Sequence, residues 1–67
     1  MKLNIGENIR KLRSENQVTQ EQLANHLLIS CQAVSKWENN VSTPDITLIP
    51  VIAEYFDVQI DELFKIE

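Results

Sequence analysis

The sequence predicts an all-α domain, a compact five-helix fold. Three observations carry that expectation. Apolar residues recur at spacings of three and four rather than two, so the stripes available for burial are helical. One Gly and two Pro in 67 residues are few for a β-rich chain that must turn often. Side chains that cap helix N-termini stand directly before apolar segments, at Thr19 and Ser30.

The first helix carries Ile5, Ile9 and Leu12 on one stripe, with Arg10, Lys11 and Arg13 mostly off it, and is expected to end near Asn16. Thr19 opens the second. Gln22, three residues on, completes a capping box, and Glu21 suits the positive end of the helix dipole. Leu23, Ala24 and Leu27 form its apolar face. After only Leu28 and Ile29, Ser30 caps a third helix whose apolar pair is Val34 and Trp37. That helix runs out at Asn39-Asn40, since Asn tolerates the left-handed conformation that ends helices.

Asn40 to Pro44 reads as a polar turn. Pro50 is tolerated only in a first helical turn, so the fourth helix is expected to start near Thr47, after a turn at Pro44 to Ile46. Leu48, Ile49, Ile52, Ala53 and Phe56 give it a broad apolar face. A short fifth helix is expected over Ile60 to Phe64, with Leu63 and Phe64 folded back on the core.

Composition bounds the function. With 43% apolar and 24% charged residues the chain is globular, and its length suits one domain over residues 1–67. No apolar run approaches the roughly 20 residues of a membrane span, and Met1-Lys2-Leu3-Asn4 lacks a signal peptide's apolar stretch. The single Cys31 cannot form an internal disulfide, which fits a reducing cytoplasm. The net charge of −4 is unfavourable for nucleic acid, but it is unevenly spread. Residues 1–43 hold five basic against four acidic groups, and residues 44–67 hold one against six. A surface can therefore attract phosphate locally although the molecule is acidic.

Two short helices joined by a tight turn, Gln20 to Asn39, form a helix-turn-helix signature. Ala24 is small enough for close helix crossing, while Val34 and Trp37 face inward. Cys31, Gln32, Ser35, Lys36 and Asn39 remain as an outward polar stripe of a kind that reaches base edges in the major groove.

With Thr19-Gln20-Glu21-Gln22-Leu23-Ala24 and Gln32-Ala33-Val34-Ser35-Lys36-Trp37-Glu38-Asn39, the chain resembles the phage-repressor and Cro-type (XRE) helix-turn-helix family. The likeness continues through Pro44-Asp45, Ile52-Ala53-Glu54-Tyr55-Phe56 and Asp61-Glu62-Leu63. It implies a transcription regulator, most often a repressor, that binds double-stranded operator DNA as a dimer. It places Cys31, Gln32, Ser35 and Lys36 at the bases, and Gln20, Asn39 and Asn40 at the sugar-phosphate backbone, with Gln20 also helping to orient the recognition helix. It also implies an ion pair between Arg13 and Glu38. Leu28 stands where the family usually has Gly, so the turn is expected to be strained.

Competing readings of single residues are weaker. Cys31 at a helix start suits a small polar residue better than a redox switch. His26 has no second ligand at metal spacing, and Trp37 beside Val34 suits the core. No catalytic motif is present and no cofactor is expected. Two alternatives remain: an interaction module that kept the fold and lost DNA binding, and the N-terminal domain of a longer regulator, with the apolar end Leu63-Phe64-Lys65-Ile66 as dimer contact or domain boundary.

Overall fold

A computed structural model describes residues 4–65. Its elements are α1 (Ile5–Glu15), α2 (Gln20–Leu27), α3 (Cys31–Glu38), a 3-10 turn (Ile46–Leu48), α4 (Ile49–Tyr55) and a 3-10 helix (Ile60–Phe64). The described residues contain no strand, as expected. They contain four α-helices rather than five, because the last segment closes as a 3-10 helix. Five residues are too few to repay the cost of nucleating an α-helix, and 3-10 bonding is the usual form of so short a piece.

The start of α4 also differs from expectation. Regular α-helix begins at Ile49, not near Thr47. Pro50 has no N–H to give to the carbonyl of Ile46, so that carbonyl accepts from Ile49 instead and closes a 3-10 turn. Asp45 starts the turn by accepting from the Thr47 N–H at 3.1 Å and from its hydroxyl. Those bonds hold the exposed Asp45 carboxyl below its ordinary range.

All four α-helices end alike. Gln17, Leu28, Asn40 and Asp57 lie in the left-handed region, with φ of 56°, 59°, 61° and 56°. The N–H of the following residue then reaches five positions back: Val18 to Arg13, Ile29 to Ala24, Val41 to Lys36 and Val58 to Ala53. This closure satisfies carbonyls that the helix leaves open. Val18, Ile29 and Val58 pack against the core after the turn, whereas Val41 is exposed.

One core joins these elements. Ile9, Leu23, Val34, Ile52 and Leu63 are its largest fully buried side chains, with Trp37, Ile49 and Phe56 around them. Phe64 is 37% exposed and turns outward, so only Leu63 of the expected pair reaches the core. Buried Asn8 ties α1 to the C-terminal segment, its Nδ2 donating to the carbonyls of Leu63 at 2.9 Å and Lys65 at 3.1 Å. Ile66, part of the apolar end noted above, lies outside the described residues.

Candidate nucleic-acid interface

Local chemistry sets α2 and α3 at a defined angle. The Thr19 hydroxyl accepts from the Gln22 N–H at 3.0 Å, and Gln22 Oε1 accepts from the Thr19 N–H at 2.8 Å, so the capping box is complete. At the other end, where a strained turn was expected, Leu28 adopts the left-handed conformation. Its side chain is 91% exposed, so it contributes no packing to offset that strain. Ser30 then caps α3, its Oγ accepting from the Ala33 N–H at 3.2 Å.

The inner face of α3 is held from two sides. Ala24, Val34 and Trp37 are buried in the core, and α2 and α3 pack against each other. On the α1 side, Gly6 makes room for the backbone at the end of α3. A Cβ on residue 6 would lie 1.9 Å from the Trp37 carbonyl oxygen, so no larger residue fits without displacement.

The outer face carries the polar stripe. Cys31, Gln32 and Lys36 are exposed, and Ser35 is half-buried among them. Gln32 and Lys36 are four residues apart and so lie one above the other on the same face. Asn39 folds back on the helix, its Nδ2 donating to the Ser35 carbonyl at 2.9 Å and to Ser35 Oγ at 3.3 Å. Asn40 is exposed in the left-handed position just beyond.

Behind the stripe lies a charged cluster centred on Glu38, which is only 3% exposed. Arg13 engages it twice, Nε to Oε2 at 2.6 Å and Nη2 to Oε1 at 2.8 Å. The third Arg13 nitrogen donates to the Val18 carbonyl at 2.8 Å. Half-exposed Arg10 donates to the Glu38 carbonyl at 3.2 Å, at the negative end of α3, and sits 3.5 Å from Oε1. Gln20 Nε2 donates to Oε1 at 3.0 Å.

Burial alone would raise the Glu38 carboxyl pKa. Hydrogen bonds from Arg13, Gln20 and Arg10, with the Arg13 charge, outweigh burial and hold it below its ordinary value of 4.5. The hydrogen bond to Glu38 raises the Arg13 pKa in turn.

The Arg13–Glu38 pair thus forms as the resemblance implied. The contact of Gln20 with Glu38 is in keeping with the orienting part that the resemblance implied for Gln20, whereas the part played by Arg10 was not foreseen. The signal for Arg10 was present in retrospect: it is three residues before Arg13, so both face α3 from the same side of α1. Among the described residues no three His, Cys, Asp or Glu side chains gather as a metal site. None of their helices is long and apolar enough to cross a membrane.

Comparison with known proteins agrees with this geometry. Residues 6–67 match the helix-turn-helix domain family. The chain is 38% identical over 63 residues to the HTH-type transcriptional activator BcrR of Enterococcus faecalis, a match covering 94% of this chain and 31% of the activator. Its fold superposes on a transcriptional regulator from Listeria innocua with a TM-score of 0.89 and 26% identity, covering 100% of this chain and 64% of that one. It also superposes on the P22 c2 repressor, solved with a synthetic operator, with a TM-score of 0.83 and 26% identity over 97% of each. The chain therefore spans under a third of the activator and just under two thirds of the Listeria regulator. With the family match spanning nearly its full length, the chain belongs to the helix-turn-helix domain family.

Proposed function

We propose that this domain is a sequence-specific, double-stranded-DNA-binding regulator of transcription that lays α3 in the major groove. The observation that carries the proposal is the exposed Gln32–Lys36 face on a helix anchored from behind by Trp37, Gly6 and the Glu38 cluster. Gln32 has the donor and acceptor pair that matches adenine. Lys36 donates to guanine or, from the same place, to phosphate. Ser35 and Cys31 complete the reading face, while Asn39 and Asn40 meet the sugar-phosphate backbone where the strand leaves α3.

The operator is palindromic and bound by a homodimer, in the cytoplasm, without a cofactor. Repression needs only occupancy of the operator, which a domain of this size supplies. Activation needs a further surface. The fold shared with a repressor solved on operator DNA supports the docking, and BcrR, named an activator, leaves room for either sign.

The test is selection of bound duplexes from a random DNA pool at two salt concentrations. The reading predicts one enriched motif with two-fold symmetry, half-site centres about 34 Å apart and affinity that falls as salt rises. The net charge of −4 favours a second reading, an interaction module without DNA binding. Absence of any enriched motif, together with a stable protein partner, would establish that reading instead.

A further inference from the structure

The buried Glu38 carboxylate meets two arginines, and they meet it unequally. Arg13 engages both of its oxygens and is itself largely covered, at 17% side-chain exposure. Arg10 is 53% exposed, and among the described residues no carboxylate other than Glu38 lies within 4 Å of its guanidinium. A guanidinium keeps its charge in a protein. Glu38 is ionised at neutral pH because its pKa is held low. Arg10, Arg13 and Glu38 together therefore carry one net positive charge in a chain of formal charge −4, and Arg10 presents it to solvent.

Glu38 also fixes where that charge stands. Arg10 Nε lies 3.5 Å from Glu38 Oε1, the same oxygen that accepts from Gln20 Nε2 at 3.0 Å, so the two side chains meet at one atom. Arg10 Nη2 donates to the Glu38 carbonyl at 3.2 Å, directly before Asn39 and Asn40. Arg10 thus stands between the start of α2 and the end of α3, where the resemblance puts the sugar-phosphate backbone. Its Nη1 donates to no group among the described residues. An exposed guanidinium edge with free N–H groups suits a phosphate oxygen.

We infer that Arg10 is a DNA-binding residue that neutralises a backbone phosphate beside those met by Gln20 and Asn39. The inference rests on the docking of α3 proposed above. It gives an acidic chain a phosphate contact carried on α1, outside the helix-turn-helix, that adds affinity without sequence preference. An Arg10 that only closed the end of α3 would support the fold and leave the salt dependence of binding untouched.

The experiment measures affinity for the duplex selected from the random pool at several salt concentrations. Arg10→Met and Arg10→Gln remove the charge, while Arg13 keeps Glu38 paired, and thermal unfolding confirms that each is folded. Each should bind about tenfold more weakly near 0.1 M salt, equally on all duplexes. The slope of log affinity against log salt should become shallower by about 1. Arg10→Lys keeps the charge and should keep the slope. Lys11→Met removes a charge from the side of α1 that faces Glu15 and Glu62, and should change the slope much less. Replacing phosphates one at a time by uncharged methylphosphonates should reveal one position that weakens wild type and spares Arg10→Met.

Three results would overturn the inference while leaving the docking intact. One is a wild-type slope in both neutral variants. Another is an equal loss in Lys11→Met, the mark of net charge alone. The third is a methylphosphonate scan that weakens wild type and Arg10→Met alike at every position. A wild type that enriches no motif would overturn the docking itself, and the inference with it.

Discussion

Arg13 holds the Glu38 carboxylate with two nitrogens, at 2.6 and 2.8 Å, and so fastens α1 to the last residue of α3. The carboxylate is almost fully buried, and a buried charge that loses its partner is costly. Arg13→Ala and Glu38→Ala should each lower stability by about 3 kcal/mol, measured by urea unfolding. Replacing both together, Arg13→Met with Glu38→Leu, should recover part of the loss, because no uncompensated charge then remains at the Arg13–Glu38 contact. A double variant that loses the sum of the single losses would contradict this.

The same cluster predicts an acid limit. The folded-state pKa of Glu38 is depressed, so its contribution is complete above the ordinary carboxyl value of 4.5. It is lost as pH falls below that value through the folded-state pKa. Unfolding free energy measured from pH 7 downward should decline in this window. Glu38→Gln should decline less steeply than wild type, and parallel curves would remove Glu38 as a source of the acid sensitivity.

The turn between α2 and α3 offers a gain. Leu28 has φ of 59° and a side chain in solvent, so Leu28→Gly removes strain without emptying the core. It should raise stability by about 1 kcal/mol. Leu28→Ala keeps the Cβ that causes the strain and should not produce this gain. Thermal melts of the two variants distinguish backbone relief from loss of an exposed apolar side chain.

Gly6 offers the opposite case. It lies inside α1, where Ala is intrinsically the better helix former. Gly6→Ala should nonetheless lower stability by roughly 3 kcal/mol, because the new methyl meets the Trp37 carbonyl. An unchanged melting temperature would mean that α1 and α3 separate easily, and would weaken the claim that α3 is rigidly mounted.

Local and long-range features differed in how far they could be read in advance. Thr19, Gln22, Ser30 and Leu28 act on backbone groups within five residues of themselves, so their roles follow from spacing. The inward face of α3 followed in the same way, from Val34 and Trp37 one helical turn apart. Pro50 marked a first helical turn in advance, but not that the N–H it lacks leaves Ile46–Leu48 as a 3-10 turn and moves the start of regular helix to Ile49. Gly6 against Trp37, Asn8 against Leu63 and Gln20 against Glu38 join residues 18 to 55 positions apart. Such meetings depend on how helices cross, which periodicity along one helix does not encode.

Major-groove reading by α3 is the central claim, and the most direct measurement compares wild type with Gln32→Ala on the selected duplex and its single-base variants. Gln32 is exposed, so its loss should leave the fold unchanged. The variant should lose roughly 1–3 kcal/mol of discrimination at one base position and keep the preferences elsewhere. Equal affinities of the two proteins for every duplex would contradict reading by this face of α3.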